Sequence, residues 1–320
     1  MRILFLLLAF PLLATFAPAS LQRREPPPPV TLVTYTPLPL AEADPRMKRL
    51  GRLAFVGAWA VTSNDPRVGG ISALHVEAGE ALAFSDAGWR IWLPLPPSRA
   101  PARVRAQIAM TQKGPGPPGD KVNRDIESVV VEGLRAWIGF EYANAVWRYD
   151  RPGFEARSAS APRAMARWNA NHGAEAMVRL ADGRFLIFAE GEGGDSEALL
   201  FDGDPAVPGT PALRLRYRPP EGYRITDAAL LPDGRLLLLN RRISLFSGFT
   251  AKLTFAVLPR LVAGALITGE EAAAFEGAVT RDNFEGLSVT REGGRTILWL
   301  VSDDNYNPLQ RTLLMKFALE

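Results

Sequence analysis

From residue 70 onward the apolar residues fall in short runs, each followed by a glycine turn and a second apolar run that stops at a charged residue. The first unit reads Gly70-Ile71-Ser72-Ala73-Leu74, turns at Ala78-Gly79 and returns through Leu82-Ala83-Phe84-Ser85-Asp86. Four more follow: Ile126 to Glu141 about Glu132-Gly133, Ala174 to Glu190 about Asp182-Gly183, Thr226 to Arg241 about Asp233-Gly234, and Phe284 to Asp303 about Gly293-Gly294. Such turns between apolar runs predict β-hairpins, because glycine accepts the positive φ that tight hairpin turns require. No segment longer than about ten residues keeps a helical period. The nearest, Gly269 to Phe275, is a short Glu/Ala run.

The units recur every 48 to 58 residues or so, and each leaves room for two further strands. In the third these are Ala198 to Phe201 and Ala212 to Tyr217; in the fourth, Ala251 to Val257 and a weaker segment near Leu266. Four strands at such a period predict an all-β fold, a β-propeller. Five four-stranded blades are favoured; a sixth would have to come from Asp86 to Asp125, which lacks the repeat. The fifth unit holds only three strands, and the lone apolar run Leu53 to Thr62 is expected to supply its fourth, tying the chain ends together and covering an edge. The domain is thus expected to span residues 50–320, with a Pro-rich spacer over 20–49 that includes Pro26 to Pro29. Residues 1–19 read as a cleavable signal peptide: Arg2, the apolar Ile3 to Leu13, then Ala17-Pro18-Ala19. That predicts a periplasmic or secreted protein with no stable membrane insertion after cleavage.

Composition removes several chemistries. There is no cysteine, hence no disulfide, thiolate metal site or cysteine nucleophile, and the two histidines, His75 and His172, cannot build a three-histidine zinc site. A net charge of +3 with scattered basic residues argues against nucleic acid. Neither a Gly-x-Ser-x-Gly elbow nor a phosphate-binding Gly-Lys-Ser/Thr loop occurs.

The remaining chemistry lies in two columns. Aligned on their turns, the units place Ser72, Glu127, Glu175, Asp227 and Glu285 in one, and Asp86, Glu141, Glu190, Arg241 and Asp303 in the other. The start of one hairpin strand lies beside the end of the next, so both columns are expected around one mouth of the channel. Clustered carboxylates repel and raise one another's pKa unless a cation is present. Oxygen-only donors suit a hard divalent ion, calcium above all, with Asp86, Glu127, Glu141, Glu190, Asp227, Glu285 and Asp303 as candidate ligands. The competing reading makes the same acids turn acceptors and ion pairs. Asn240-Arg241-Arg242 adds positive charge at the mouth, where Arg241 and Arg242 could hold an anionic substrate. His172 is a candidate general base on the same rim beside Glu175, and Trp168, in a polar loop, a candidate stacking platform. The other tryptophans and His75 read as packing residues.

Five segments carry a family likeness: Asp282-Asn283-Phe284-Glu285-Gly286-Leu287 with Leu298 to Asn305 and Pro308 to Leu314, then Gly69-Gly70-Ile71-Ser72, and Asn171-His172-Gly173-Ala174-Glu175-Ala176. From about Arg49 to the C-terminus the chain resembles the phytase-like, "esterase-like activity of phytase" family of exported bacterial proteins. The resemblance implies a propeller and hydrolysis of phosphate or other esters, and brings Arg311 in as a further substrate-binding candidate. Ser72 and Arg241 interrupt the acid columns and depart from a symmetrical metal cluster like that of calcium-dependent propeller phytases. The two leading readings are a divalent-metal-dependent ester hydrolase, with Glu175, His172 and Arg241 catalytic, and a non-catalytic propeller binding a ligand or partner through the same mouth. A lactonase-like propeller with one metal is a third. A monomer acting on a small anionic ester is expected.

Overall fold

Each apolar run of the repeat is a strand, and each glycine turn closes a hairpin. The computed structural model describes residues 27–320 apart from Gln112, Pro118, Gly119, Lys121 and Glu192, and among them there is no helix. Their strands form five sheets, antiparallel apart from one edge strand, arranged as the blades of a propeller. Blade I comprises Ile71–Glu77, Glu80–Ser85, Trp89–Pro94 and Gln107–Met110. Blade II comprises Ile126–Glu132, Arg135–Phe140, Ala145–Asp150 and Glu155–Ser160, and blade III Ala174–Arg179, Phe185–Ala189, Ser196–Phe201 and Ala212–Arg218. Blade IV comprises Arg224–Leu230, Leu236–Ser244, Gly248–Ala256 and Glu270–Phe275. Blade V begins with Phe284–Glu292, Arg295–Ser302 and Thr312–Leu319 and is completed by Leu53–Ser63.

The predicted closure is present: Leu53–Ser63 runs antiparallel to the last strand, with Leu313 opposite Ala60 and Leu319 opposite Leu53. The stretch between Asp86 and Asp125 supplies the outer strands of blade I, so there is no sixth blade among the described residues.

Three features differ from the sequence reading. The blade begins before residue 50, because Leu32–Leu38 pairs with Leu53–Ser63 inside the stretch read as spacer. Its alternation buries Val33 and Tyr35, and the Tyr35 hydroxyl donates to the Pro94 carbonyl at 3.0 Å. Ala102–Arg105 then pairs with Leu32–Leu38, strapping blade I to blade V. The Glu/Ala run is the outer strand of blade IV, Glu270–Phe275, where burial of Ala272, Ala273 and Phe275 overrides weak strand propensity. Leu266–Thr268 lies instead parallel to Ala212–Arg218 on the edge of blade III. The expected leader, residues 1–19, lies outside the described residues.

The apolar core divides into five clusters, each filling the seam between neighbouring blades. Phe275, Phe284 and Phe317 lie between blades IV and V, and Trp59, Ile91 and Trp299 between V and I. Phe84, Ile138 and Tyr149 fill the seam of I and II, Trp137, Met177 and Phe185 that of II and III, and Phe188, Tyr217 and Leu238 that of III and IV. The innermost strands therefore stand side by side around a central axis, all running the same way.

Candidate functional site at the channel mouth

Every innermost strand carries a β-bulge near its start. The ladder skips one residue between Ile71 and Ala73, Ile126 and Ser128, Ala174 and Ala176, Ile225 and Asp227, and Phe284 and Gly286. A bulged residue leaves the ladder and its side chain is re-aimed. The skipped residues are Ser72, Glu127, Glu175, Thr226 and Glu285. The first column is therefore correct in four blades and displaced by one in the fourth, where Thr226 takes the place expected of Asp227.

Asp227 is consequently a staple between blades IV and V. Its buried carboxylate accepts the Ala228 and Leu287 amide protons, each at 2.7 Å. Burial holds its pKa well above the usual range, against the pull of those two donors. The neutral bulge residues act similarly: the Ser72 hydroxyl donates to the Ile126 carbonyl, and Thr226 to that of Phe284 at 3.2 Å.

On the blade II side, carboxylates converge. Oxygens of Asp125, Glu127 and Glu141 all lie within 4.8 Å of one another. Asp125 was missed by the column alignment because it precedes the strand; its carbonyl accepts the Glu141 amide, placing it opposite the second column. Burial, then the charges of Asp125 and Glu175, push the Glu127 carboxyl well above its ordinary pKa. Burial likewise raises Glu141, to about 7. Burial, and then the charges of Glu141 and Glu190, also push Glu175 well up, and it is hydrogen-bonded to Glu141. Three carboxylates without nitrogen or sulfur donors fit a hard divalent cation, which would remove the mutual repulsion.

Across the mouth, Arg241 pairs with part of the ring. Its guanidinium donates to Glu285, to Asn283 Oδ1 at 2.8 Å and to Glu190 Oε1 at 3.2 Å. Burial opposes that charge, but Glu285 and Glu190 outweigh it and raise the arginine pKa. Arg224 donates to the other Glu190 oxygen at 3.0 Å, and His172 Nε2 stands 3.5 Å from that same oxygen. Asp303 and Asp86 complete the ring beside Glu285, with burial and these neighbouring acids raising Asp303 strongly.

Three further candidates lie apart from the ring. Trp168 is packed in the seam of blades II and III with its indole N–H on Glu197 at 2.7 Å, so its face is covered and the polar loop around it gave a false signal. Arg242 points away from Arg241, as alternation requires, over the Tyr223 ring at 4.6 Å and toward Glu276. Arg311 pairs with Asp282 at 3.3 Å on the exposed rim of blade V.

The glycine motifs have steric causes. Gly70, at φ +59°, donates its amide to Asp304 Oδ1 at 2.9 Å, and a Cβ there would meet the Tyr306 ring at 2.3 Å. Two motifs far apart in sequence, Gly69-Gly70-Ile71-Ser72 and Asp303-Asp304-Asn305, thus meet as one structure. Gly173 lies against blade II so closely that a Cβ would come within 2.3 Å of the Glu141 carbonyl oxygen. Gly173→Ala is expected to destabilise the fold by about 1–3 kcal/mol in chemical denaturation. It should also weaken divalent-cation binding, although it removes no carboxylate.

Comparison with known proteins adds the family. Residues 66–306 match the phytase-like family, described as esterase-like activity of phytase. The chain belongs to the phytase-like family. No curated protein matches it. Solved structures similar to this phytase-like chain include glutaminyl cyclase of Myxococcus xanthus, at 10% identity and TM-score 0.44, covering 85% of this chain and 100% of that one. The major allergen Mala s 1 of Malassezia sympodialis is similar at 9% identity and TM-score 0.45, covering 78% and 92%. Likenesses this distant add nothing to the architecture that the strands of the phytase-like propeller already define.

Proposed function

We propose that the protein is an exported, divalent-cation-dependent hydrolase of a phosphate or other ester, acting at the blade II side of the mouth. The observation that carries this is the convergence of Asp125, Glu127 and Glu141 in one ring with Arg241. Those three carboxylates would hold the cation, with calcium the best match to their oxygen donors. When bound, such an ion polarises an ester and acidifies water at neutral pH. Glu175, linked to Glu141, is placed to accept the proton of the attacking water once its neighbours' charge is neutralised. Arg241 supplies positive charge toward the oxyanion that develops, and Glu190, held by Arg224 and His172, fixes its orientation. Because Arg241 and Arg224 already pair with Glu285 and Glu190, one ion is favoured over a symmetrical cluster.

The test is calcium titration by calorimetry of chelator-treated protein, paired with rates on 4-nitrophenyl phosphate and 4-nitrophenyl acetate. One ion per chain is expected, lost in Glu141→Gln, with hydrolysis of at least one ester following the ion. Ion binding without turnover would favour the non-catalytic ligand-binding propeller. Absence of binding for calcium, magnesium and manganese alike would overturn the proposal.

A further inference from the structure

Two arginines lie buried in the seam between blades I and II, apart from the acid ring. Arg90 is 5% exposed and Arg124 2%. Burial lowers the Arg90 pKa to about 10, which still leaves the group charged at neutral pH. Taking such a charge out of water is costly unless an anion accompanies it. Among the described residues Arg90 has none. Its guanidinium lies over the Phe154 ring at 4.3 Å and the Trp92 ring at 5.3 Å, and donates from Nη2 to the Met110 carbonyl at 3.1 Å. Nε is buried without a hydrogen-bond partner, and no carboxylate acts on the group. The rings and the carbonyl attract a cation, but none of them cancels its charge.

A second idle donor stands on the same face of blade I. In its outer ladder Arg90 pairs with Ala109 and Trp89 with Met110, and the Thr111 amide donates to the Gly88 carbonyl at 3.0 Å. Thr111 is therefore opposite Gly88, and its side chain projects from the face that carries Arg90. Its hydroxyl is buried and has no partner. Positions diagonal across a ladder are roughly 7–8 Å apart, within reach of one ion held by both side chains. Arg124 covers this face from above. A Cβ on Gly88 would lie 3.3 Å from the Arg124 Cβ, and the Arg124 guanidinium donates to the carbonyls of Thr111, Pro115 and Gly116. Asp120 acts on Arg124 from the surface, where it accepts from Asn123 Nδ2 at 2.6 Å. A water could satisfy both idle donors but would leave the Arg90 charge uncancelled.

We propose that this seam holds a small inorganic anion of the size of chloride, bound by Arg90 Nε and the Thr111 hydroxyl in the field of Arg124. Two donors suit a one-atom ion better than sulfate or phosphate, most of whose oxygens would lack partners. Arg124 leads directly into Asp125, one of the three converging carboxylates. An anion beside Arg124 adds negative potential behind Asp125, so it should tighten the cation site, and by linkage the cation should tighten the anion. That coupling rests on the cation reading above; the anion site does not.

The experiment melts the whole chain in chelator at fixed ionic strength, with gluconate replaced stepwise by chloride. A saturating rise of about 3 °C is expected once chloride stands roughly tenfold above its dissociation constant. Arg90→Met should lose the chloride response while keeping most of its stability in gluconate, because it removes a buried charge that has no partner there. Thr111→Val should need about tenfold more chloride for the same rise. Broadening of the chloride NMR line by native protein, reversed by bromide, gives a readout that needs no unfolding. Calcium titrations in the two salts form the last arm: affinity should be about fivefold or more higher in chloride, and equal in both for Arg90→Met. A chloride-dependent melt in a protein that binds no calcium would sustain the anion site and defeat the cation reading. Equal calcium affinity in the two salts overturns the coupling. Native protein indifferent to chloride, or stabilised by sulfate and not by chloride, overturns the proposal. A rise equally large in Arg90→Met would make Arg90 a stacking residue only and overturn it too.

Discussion

Arg241→Met should destabilise the protein by about 2–4 kcal/mol at pH 8, seen as a fall in melting temperature of roughly 5–10 °C. The variant removes the one cation that contacts both Glu285 and Glu190, and leaves their charges largely enclosed. The loss should shrink at pH 5, where the orphaned carboxylates take up protons at less cost. It should also shrink in calcium, because the freed acids become cation ligands and the variant should bind more ion than the native chain. Arg311→Met, which breaks only the rim pair with Asp282, is expected to change stability by no more than about 1 kcal/mol. A variant as stable as the native protein at pH 8 would show that the ring carries little net negative charge.

A second large effect concerns pH. Glu127, Glu141, Glu175, Glu285 and Asp303 all have raised pKa values in the folded state, with burial the leading cause. The folded protein therefore holds protons that the unfolded chain has already released. That contribution is fully present below the unfolded values, near pH 4, and is lost as pH rises through the folded ones. For Glu141 alone, moved from 4.5 to about 7, the loss is on the order of 3 kcal/mol. Without divalent ions, the midpoint of urea unfolding should thus fall steadily between pH 5 and 8. Saturating calcium should flatten the curve, since the ion binds deprotonated carboxylates and offsets their repulsion. A midpoint that rises with pH in chelator would contradict the crowded-acid description. Glu141→Gln should flatten the curve without calcium.

Much of this was legible in the repeat. Hairpins, blade count and closure followed from glycine turns and from the three-stranded final unit, because tight turns and uncovered edges leave marks that depend on local chemistry. The second column aligned correctly in all five blades, since the second strand runs regularly up to it, and in blade IV beyond it to Ser244. The first failed at Asp227 because a bulge inserts a residue without changing the apolar pattern, and Thr226 has no acid to announce it. Asp125 was invisible for a related reason: its place in the ring comes from the backbone bond between its carbonyl and Glu141, not from a repeated residue type. Trp168 and the Glu270–Phe275 strand were misread where burial by a neighbouring blade overrode local composition. Leu32–Leu38 did show alternation, but its place beyond a proline tract disguised it.

The strand that closes the ring also sets an order of events. Leu53–Ser63 is made early, yet its partner, Thr312–Leu319, follows some 250 residues later. At ordinary rates of synthesis this apolar strand waits on the order of ten to fifty seconds before its far side can be covered. During that time its available partners are Leu32–Leu38 and the short strand Arg49–Leu50, and the ribbon stands with Trp59 and Phe55 uncovered. A holding chaperone, or any factor that delays pairing between copies, should therefore act on the first hairpin more than on any later blade. Closure of the ring needs Thr312–Leu319, so deleting that strand should leave blades that form locally but never join.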